Sequence, residues 1–123
     1  MIKPLATAAL VLIAAPPVFA ASETRCGWFE NPTPANMWLN DRGGEWIVSV
    51  QGGYHAPGPD VPDFGDDKSK WVVTNGISYG YGCACIRGRL DHSSMRIVKI
   101  ERFVVKSLAA CRGDRSLKEP RSG

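Results

Sequence analysis

Four cysteines are the residues of this 123-residue chain whose side chains, by type and spacing, are best placed to take part in chemistry. Cys83 and Cys85 are separated by one residue, and Cys26 and Cys111 lie far from them on either side. Paired thiolates can hold a soft metal or cycle between thiols and a disulfide. The Cys-Ala-Cys spacing matches neither zinc ribbons nor thioredoxin-like motifs, which use Cys-x-x-Cys. Structural disulfides are therefore expected, with a thiolate metal site and a redox pair as alternatives.

Two disulfide pairings remain open. On a strand, the side chains of Cys83 and Cys85 share a face about 6.5–7 Å apart, at the limit of disulfide geometry, so a bond between them is not expected. The alternatives are Cys26–Cys83 with Cys85–Cys111, or Cys26–Cys85 with Cys83–Cys111. Either pairing ties both ends of the domain to one central strand.

Residues 1–20 are predicted to be a secretion signal. Lys3 gives a positive start, residues 5–15 form an apolar run, and Val18 and Ala20 place small residues at positions −3 and −1 of a cleavage site. The run is shorter than the roughly 20 residues that a membrane-spanning helix needs, so no membrane insertion is expected. We expect a periplasmic or secreted protein after cleavage near Ala20, a setting in which an even number of cysteines forms disulfides.

Residues 21–123 are predicted to form one small domain, with residues 118–123 as a disordered tail. Short runs rich in β-branched and aromatic residues alternate with turn signals, and they predict strands at 37–39, 45–50, 71–74, 77–89 and 96–105. Residues 108–111 are expected to begin a short helical turn. The predicted fold is all-β, a small barrel or two-sheet sandwich held by disulfides, with an α+β fold as the alternative.

One face of the long strand at 77–89 carries almost no side chains. Gly80, Gly82 and Ala84 alternate with Tyr79 and Tyr81. Such a bare face predicts strong curvature, or close approach by an aromatic ring or another backbone.

No catalytic residue, cofactor or metal ligand is predicted. His55 and His92 each lie in a predicted loop, and no nucleophile elbow or phosphate-binding glycine loop is present. Glu30, Asp41 and Glu45 are carboxylates that could meet in space, as in a hydrolase, although their spacing does not single them out. The acidic stretch at residues 60–67 lacks the alternating ligand spacing of known calcium loops.

Charge is distributed unevenly along the chain. Residues 21–85 carry 4 basic and 8 acidic side chains, whereas residues 86–123 carry 10 basic and 4 acidic ones. The basic residues are spread out rather than clustered in the sequence, which favours a solvated face. Loss of Lys3 with the signal lowers the net charge from +3 to +2. Together with export, this small charge argues against a nucleic-acid partner.

Aromatic side chains are the best indication of a binding surface. Rings with a polar group bury much area at a recognition surface at little entropic cost. Most of the rings in this domain are expected to form its core. Trp28, Tyr79 and Tyr81 are the candidate binding surface, and the two tyrosines lie beside bare glycine positions.

Three segments resemble the signature of a known family: CGWFENPTP at residues 26–34, QGG at 51–53 and YGYGCAC at 79–85. The family comprises small exported proteins of Gram-negative bacteria and is catalogued as a domain of unknown function. The resemblance extends from Cys26 to about Leu117. It implies a single-domain periplasmic or secreted protein whose pattern includes the four cysteines, and it implies no activity or catalytic residue.

These observations predict a non-catalytic periplasmic binding or inhibitor-like module that recognises a protein or an envelope component. The alternatives are a small enzyme that uses carboxylates or thiols, and a thiolate metal carrier that uses Cys83 and Cys85.

Overall fold

A computed structural model describes residues 2–12 and 21–121 of the protein. The predicted cleavage site lies outside the described residues, as does the end of the apolar run. Residues 2–12 contain no helix or strand, and their apolar side chains are exposed, Leu5 to 96%. Within the described ranges, no helix has the length and apolar character needed to cross a membrane.

Six strands and one short helix make up the described domain. In chain order they are β1 (Ser22–Thr33), β2 (Asn36–Asp41), β3 (Gly44–Ser49), β4 (Trp71–Asn75), β5 (Tyr79–Asp91), β6 (Arg96–Lys106) and α1 (Leu108–Arg112). The all-β prediction is confirmed. The five predicted strands correspond to β2 through β6, and the predicted helical turn corresponds to α1.

Strand β1 was not predicted from the sequence. It contains Gly27, Asn31 and Pro32, which have low β propensity. The strand forms because both of its edges are paired, with β2 on one side and β5 on the other. Pro32, which cannot donate a ladder hydrogen bond, falls where the register with β2 shifts, between Glu30 and Thr33.

The strands form one six-stranded sheet in the order β1-β2-β3-β6-β5-β4, with an additional pairing between β1 and β5. The additional pairing closes a ring of five strands. The ring contains one parallel contact, between β3 and β6, which joins Ile47 to Arg96. Strand β4 lies outside the ring and pairs with the first residues of β5.

Two apolar clusters lie on opposite faces of β1 and β5, because successive side chains of a strand point to opposite faces. Phe29 belongs to the larger cluster, whose buried members include Leu39, Trp46, Val48, Ala84, Ile86, Leu90, Ile97 and Ile100. Its neighbour Trp28 belongs to the smaller cluster, with Tyr81, Cys83, Leu108 and Cys111. Helix α1 contributes the last two of these residues and so packs on the outer face of β5.

The bare face predicted for β5 is confirmed. A Cβ atom at Gly82 would lie 2.7 Å from the ring of Phe64, and one at Gly80 would clash with the backbone oxygen of Val72. An aromatic ring and the backbone of β4 therefore approach β5 at these two glycines.

Candidate functional site

All four cysteines form disulfides. Cys26 bonds to Cys85 and Cys83 bonds to Cys111, which is the second of the two predicted pairings. No free cysteine is present in the described chain. Two disulfides fit a protein that works outside the cytosol. In this oxidised state the chain presents no thiolate for metal binding or nucleophilic chemistry.

Two of the three aromatic rings predicted as a binding surface lie in the smaller cluster. Trp28 is 1% exposed and Tyr81 is 3% exposed. Their rings pack edge to face with centroids 5.4 Å apart. They belong to the core and not to a surface, because α1 and the segment after it cover this face of the sheet. Tyr79 is half-buried and lines the groove described below.

Glu119 fastens the end of the chain to this cluster, although it lies in the segment predicted as a disordered tail. Its carboxylate accepts a hydrogen bond from Tyr81 Oη at 2.8 Å and from Arg112 Nε at 2.6 Å. Burial, followed by the bond to Glu119, raises the pKa of Tyr81 to about 12. The hydrogen bond from Arg112 lowers the pKa of Glu119. The segment after α1 is thus held by a charged pair on the rim of the core.

Only two of the three candidate carboxylates lie near each other: the charge of Glu45 acts on Glu30, whereas Asp41 is engaged elsewhere. Glu30 is half-buried, and its Oε2 accepts hydrogen bonds from Trp38 Nε1 at 2.7 Å and from Asn40 Nδ2. Asp41 instead pairs with Arg25 at 3.3 Å. Burial raises the pKa of Glu30, and the charge of Glu45 acts in the same direction. Glu30 is therefore the one of the three carboxyl groups whose surroundings favour the protonated form.

We expect the raised pKa of Glu30 to appear in the pH dependence of stability. The folded chain holds this proton to higher pH than the unfolded chain, so the free energy of unfolding should fall as pH rises through the two pKa values. Glu30→Gln should remove this component and keep an oxygen that accepts from Trp38. Urea unfolding between about pH 4 and pH 7 measures the slope. An unchanged slope in Glu30→Gln, or an equal change in the control Asp60→Asn, which alters an exposed loop carboxylate, would contradict the assignment.

The described residues contain no group of three or more His, Cys, Asp or Glu side chains placed to hold a metal ion. His55 contacts Ser49, with Nδ1 and Oγ 3.1 Å apart. His92 Nε2 lies 3.0 Å from the carboxylate of Glu23. The ring of His92 also packs edge to face on Trp46, with centroids 4.9 Å apart, so both histidines are engaged with neighbouring side chains.

A groove of about 580 Å³ lies where β4, the start of β5 and residues 61–68 meet. Pockets of 300–1,000 Å³ are typical of small-ligand sites. We call it the aromatic groove. Its lining consists mainly of apolar and aromatic side chains with a few charged ones, and includes Phe29, Met37, Val61, Asp63, Phe64, Asp66, Lys68, Trp71, Val73, Ile77 and Tyr79.

Phe64 builds one wall of the aromatic groove. Its ring is stacked on Phe29, with centroids 5.7 Å apart, and lies 4.5 Å from the ring of Trp71. The missing side chain of Gly82 leaves the space that the ring occupies. Phe64 comes from the irregular stretch between β3 and β4, so its position depends on these long-range contacts.

Aspartates of the acidic stretch shape the turns on either side of Phe64. Asp63 Oδ1 accepts a hydrogen bond from the backbone N–H of Gly65 at 2.8 Å, and Gly65 adopts a φ of 74° that favours glycine. Asp67 Oδ1 accepts from the backbone and hydroxyl of Ser69, which lowers the pKa of Asp67. The acidic stretch therefore folds the loop over the sheet and leaves negative charge beside the groove.

The other side of the groove is an exposed sheet edge. Strand β4 ends the strand order and pairs only with β5. Val73 is 48% exposed, and Ile77, in the turn that joins β4 to β5, is 97% exposed. An unpaired edge with exposed apolar side chains is a template for pairing with another chain. The position of Ile77 directly after the Asn75-Gly76 turn was the one sequence signal that could have pointed to this surface.

A family model described as "Protein of unknown function (DUF4087)" matches residues 20–118 of the chain. The match covers all six strands, α1 and the four cysteines. No curated protein and no solved structure matches the chain significantly. Because these comparisons supply no function, a functional assignment has to be argued from the surface of this chain.

Proposed function

The chain belongs to this family of proteins of unknown function (DUF4087), and we propose that it is a non-catalytic, inhibitor-like binding module. The aromatic groove and the free edge of β4 together bind an extended segment of a partner protein. The observation that carries the proposal is the exposed apolar surface formed by Val73 and Ile77 on the rim of the groove.

The chemistry of the groove defines the partner segment. An added strand gains main-chain hydrogen bonds from a sheet edge, and pockets for its alternate side chains give specificity. The wall formed by Phe64 and Trp71 suits an apolar side chain. Asp63 and Asp66 line the same groove and suit a basic side chain on the segment. The partner segment is thus extended, with apolar and basic residues.

We place the protein in the periplasm or outside the cell, after cleavage of the signal near Ala20. The two disulfides support this location, because such bonds persist in oxidising compartments. The exposed side chain of Leu5 also supports it, since the apolar residues 2–12 gain no packing from the domain. A signal segment that is cleaved off needs no packing against the domain.

Capture of partners from the envelope fraction of the source bacterium tests the proposal. Val73→Ser/Ile77→Ser is expected to weaken capture by about tenfold or more, because exposed apolar anchors contribute at least about 1 kcal/mol when an interface buries them. Its urea unfolding midpoint should stay close to that of the unmodified protein, since both side chains are exposed.

The matched control is Val98→Ser, which alters a strand valine that is 37% exposed and does not line the aromatic groove. It should capture partners as the unmodified protein does. Equal capture by the double variant and the control would overturn the proposal, as would a protein that enriches nothing over an unrelated disulfide-bonded domain.

A further inference from the structure

Four basic side chains project from the outer face of two neighbouring strands. Arg87 and Arg89 lie on β5, and Lys99 and Arg102 lie on β6; all four are exposed. The register places Arg87 opposite Arg102 and Arg89 opposite Lys99. We call these four residues the cationic face. Although the basic residues are dispersed in the sequence, the pairing of β5 with β6 gathers them.

Both cross-strand pairs of the cationic face join like charges. Opposite residues on neighbouring strands are about 5 Å apart, and like charges placed directly opposite each other are destabilising. One acidic side chain intervenes: Glu101, in the bulge between the two pairs, lies 3.8 Å from Arg87 and 4.0 Å from Arg89. Four cations against one carboxylate leave this face with an excess of positive charge.

The adjacent strand β1 adds hydroxyl groups to the same face. Thr24 pairs with Arg87 and Ser22 pairs with Arg89 in the β1–β5 register. Ser22 Oγ donates to Glu101 at 2.5 Å, and Arg87 donates to Thr24 Oγ1 at 3.5 Å. The hydroxyl of Thr24 keeps its proton free to donate, and cations beside such a donor suit phosphate oxygens, which accept several hydrogen bonds at once.

We propose that the cationic face docks the protein on a membrane surface rich in anionic phospholipids. The side chains of Arg87 and Arg89 are 53% and 44% exposed and extend from an open sheet face, so they fit a surface with many phosphates better than one enclosed anion. Attraction to anionic lipid is worth about 1 kcal/mol for each basic residue near the surface. This contact is peripheral and independent of the aromatic groove.

Co-sedimentation of the purified protein with vesicles tests the proposal. Vesicles that contain phosphatidylglycerol should bind the protein at low ionic strength, and vesicles of phosphatidylcholine alone should not. Binding should weaken as salt rises, because screening shortens the range of the charges. Arg87→Gln/Arg89→Gln should reduce binding to the anionic vesicles by about 25-fold, which is about fivefold for each charge removed.

Two further variants separate the cationic face from net charge. Lys70→Gln/Lys118→Gln removes the same charge at exposed positions outside β5 and β6 and should leave vesicle binding within about twofold of the unmodified protein. Glu101→Gln removes the carboxylate between the pairs and should strengthen binding. An equal loss in the two double variants would overturn the proposal. So would displacement by inorganic phosphate beyond the effect of chloride at equal ionic strength, which would identify a free phosphate as the ligand.

Discussion

Replacing Cys83 and Cys111 together by alanine is expected to lower the free energy of unfolding by about 3–5 kcal/mol. The bond spans 28 residues of sequence, for which the chain-entropy relation gives about 3.5 kcal/mol. Both sulfurs are buried in the smaller cluster, so their loss also leaves a cavity. Helix α1 has only five residues and cannot hold its place without tertiary contacts.

The other disulfide provides the control. Cys26 and Cys85 already face each other in the β1–β5 register, and their bond spans 59 residues. Chain entropy alone gives this bond the larger effect, about 4 kcal/mol. We expect the reverse order, with Cys26→Ala/Cys85→Ala losing about 2–3 kcal/mol, because Cys26 is exposed and little packing is lost. Urea unfolding followed by tryptophan fluorescence measures both variants. A smaller loss for Cys83→Ala/Cys111→Ala would contradict the role given to the smaller cluster.

Phe64→Ala should lower the free energy of unfolding by about 3–4 kcal/mol and should also abolish partner capture. The ring is buried between Phe29, Trp71 and Phe103, and its removal opens a cavity above Gly82. The loop of residues 61–68 then loses its anchor to the sheet, so the aromatic groove loses a wall.

Phe64→Leu is the matched control for this prediction. It keeps an apolar side chain in the same space and should recover at least half of the lost stability, together with part of the capture. Chemical denaturation gives the stability and envelope capture gives the binding. If the free energy of unfolding of Phe64→Ala lies within about 0.5 kcal/mol of that of the unmodified protein, the loop is not packed on the sheet and the groove has no fixed wall.

The sequence predicted the structure best where the local residue pattern of a strand matches the way that strand packs in the fold. Tyr81 and Cys83 alternate with Gly80 and Gly82, which predicted a strand with one bare face. That strand is β5, and its bare face receives β4 and Phe64. The spacing of Cys83 and Cys85 on a strand made a bond between them unexpected, and the two pairings left open include the observed one.

Features that depend on distant contacts could not be predicted in this way. Strand β1 contains Gly27 and Pro32 and forms because two partners pair with it. Trp28 and Tyr81 are buried by a helix that begins at Leu108, far along the chain. The aromatic groove depends on Phe64, whose irregular segment has no periodicity from which its position could be read.

The most direct test of the central claim, that the aromatic groove and the edge of β4 hold a partner segment, is site-specific photo-cross-linking in living cells of the source organism. A photoreactive phenylalanine analogue replaces Ile77 in the full chain, and the same analogue at Val98 serves as the control. We predict a discrete covalent adduct with another protein from position 77, absent from position 98 and lost when Val73→Ser is added. No adduct from position 77, or the same adducts from both positions, would contradict the claim.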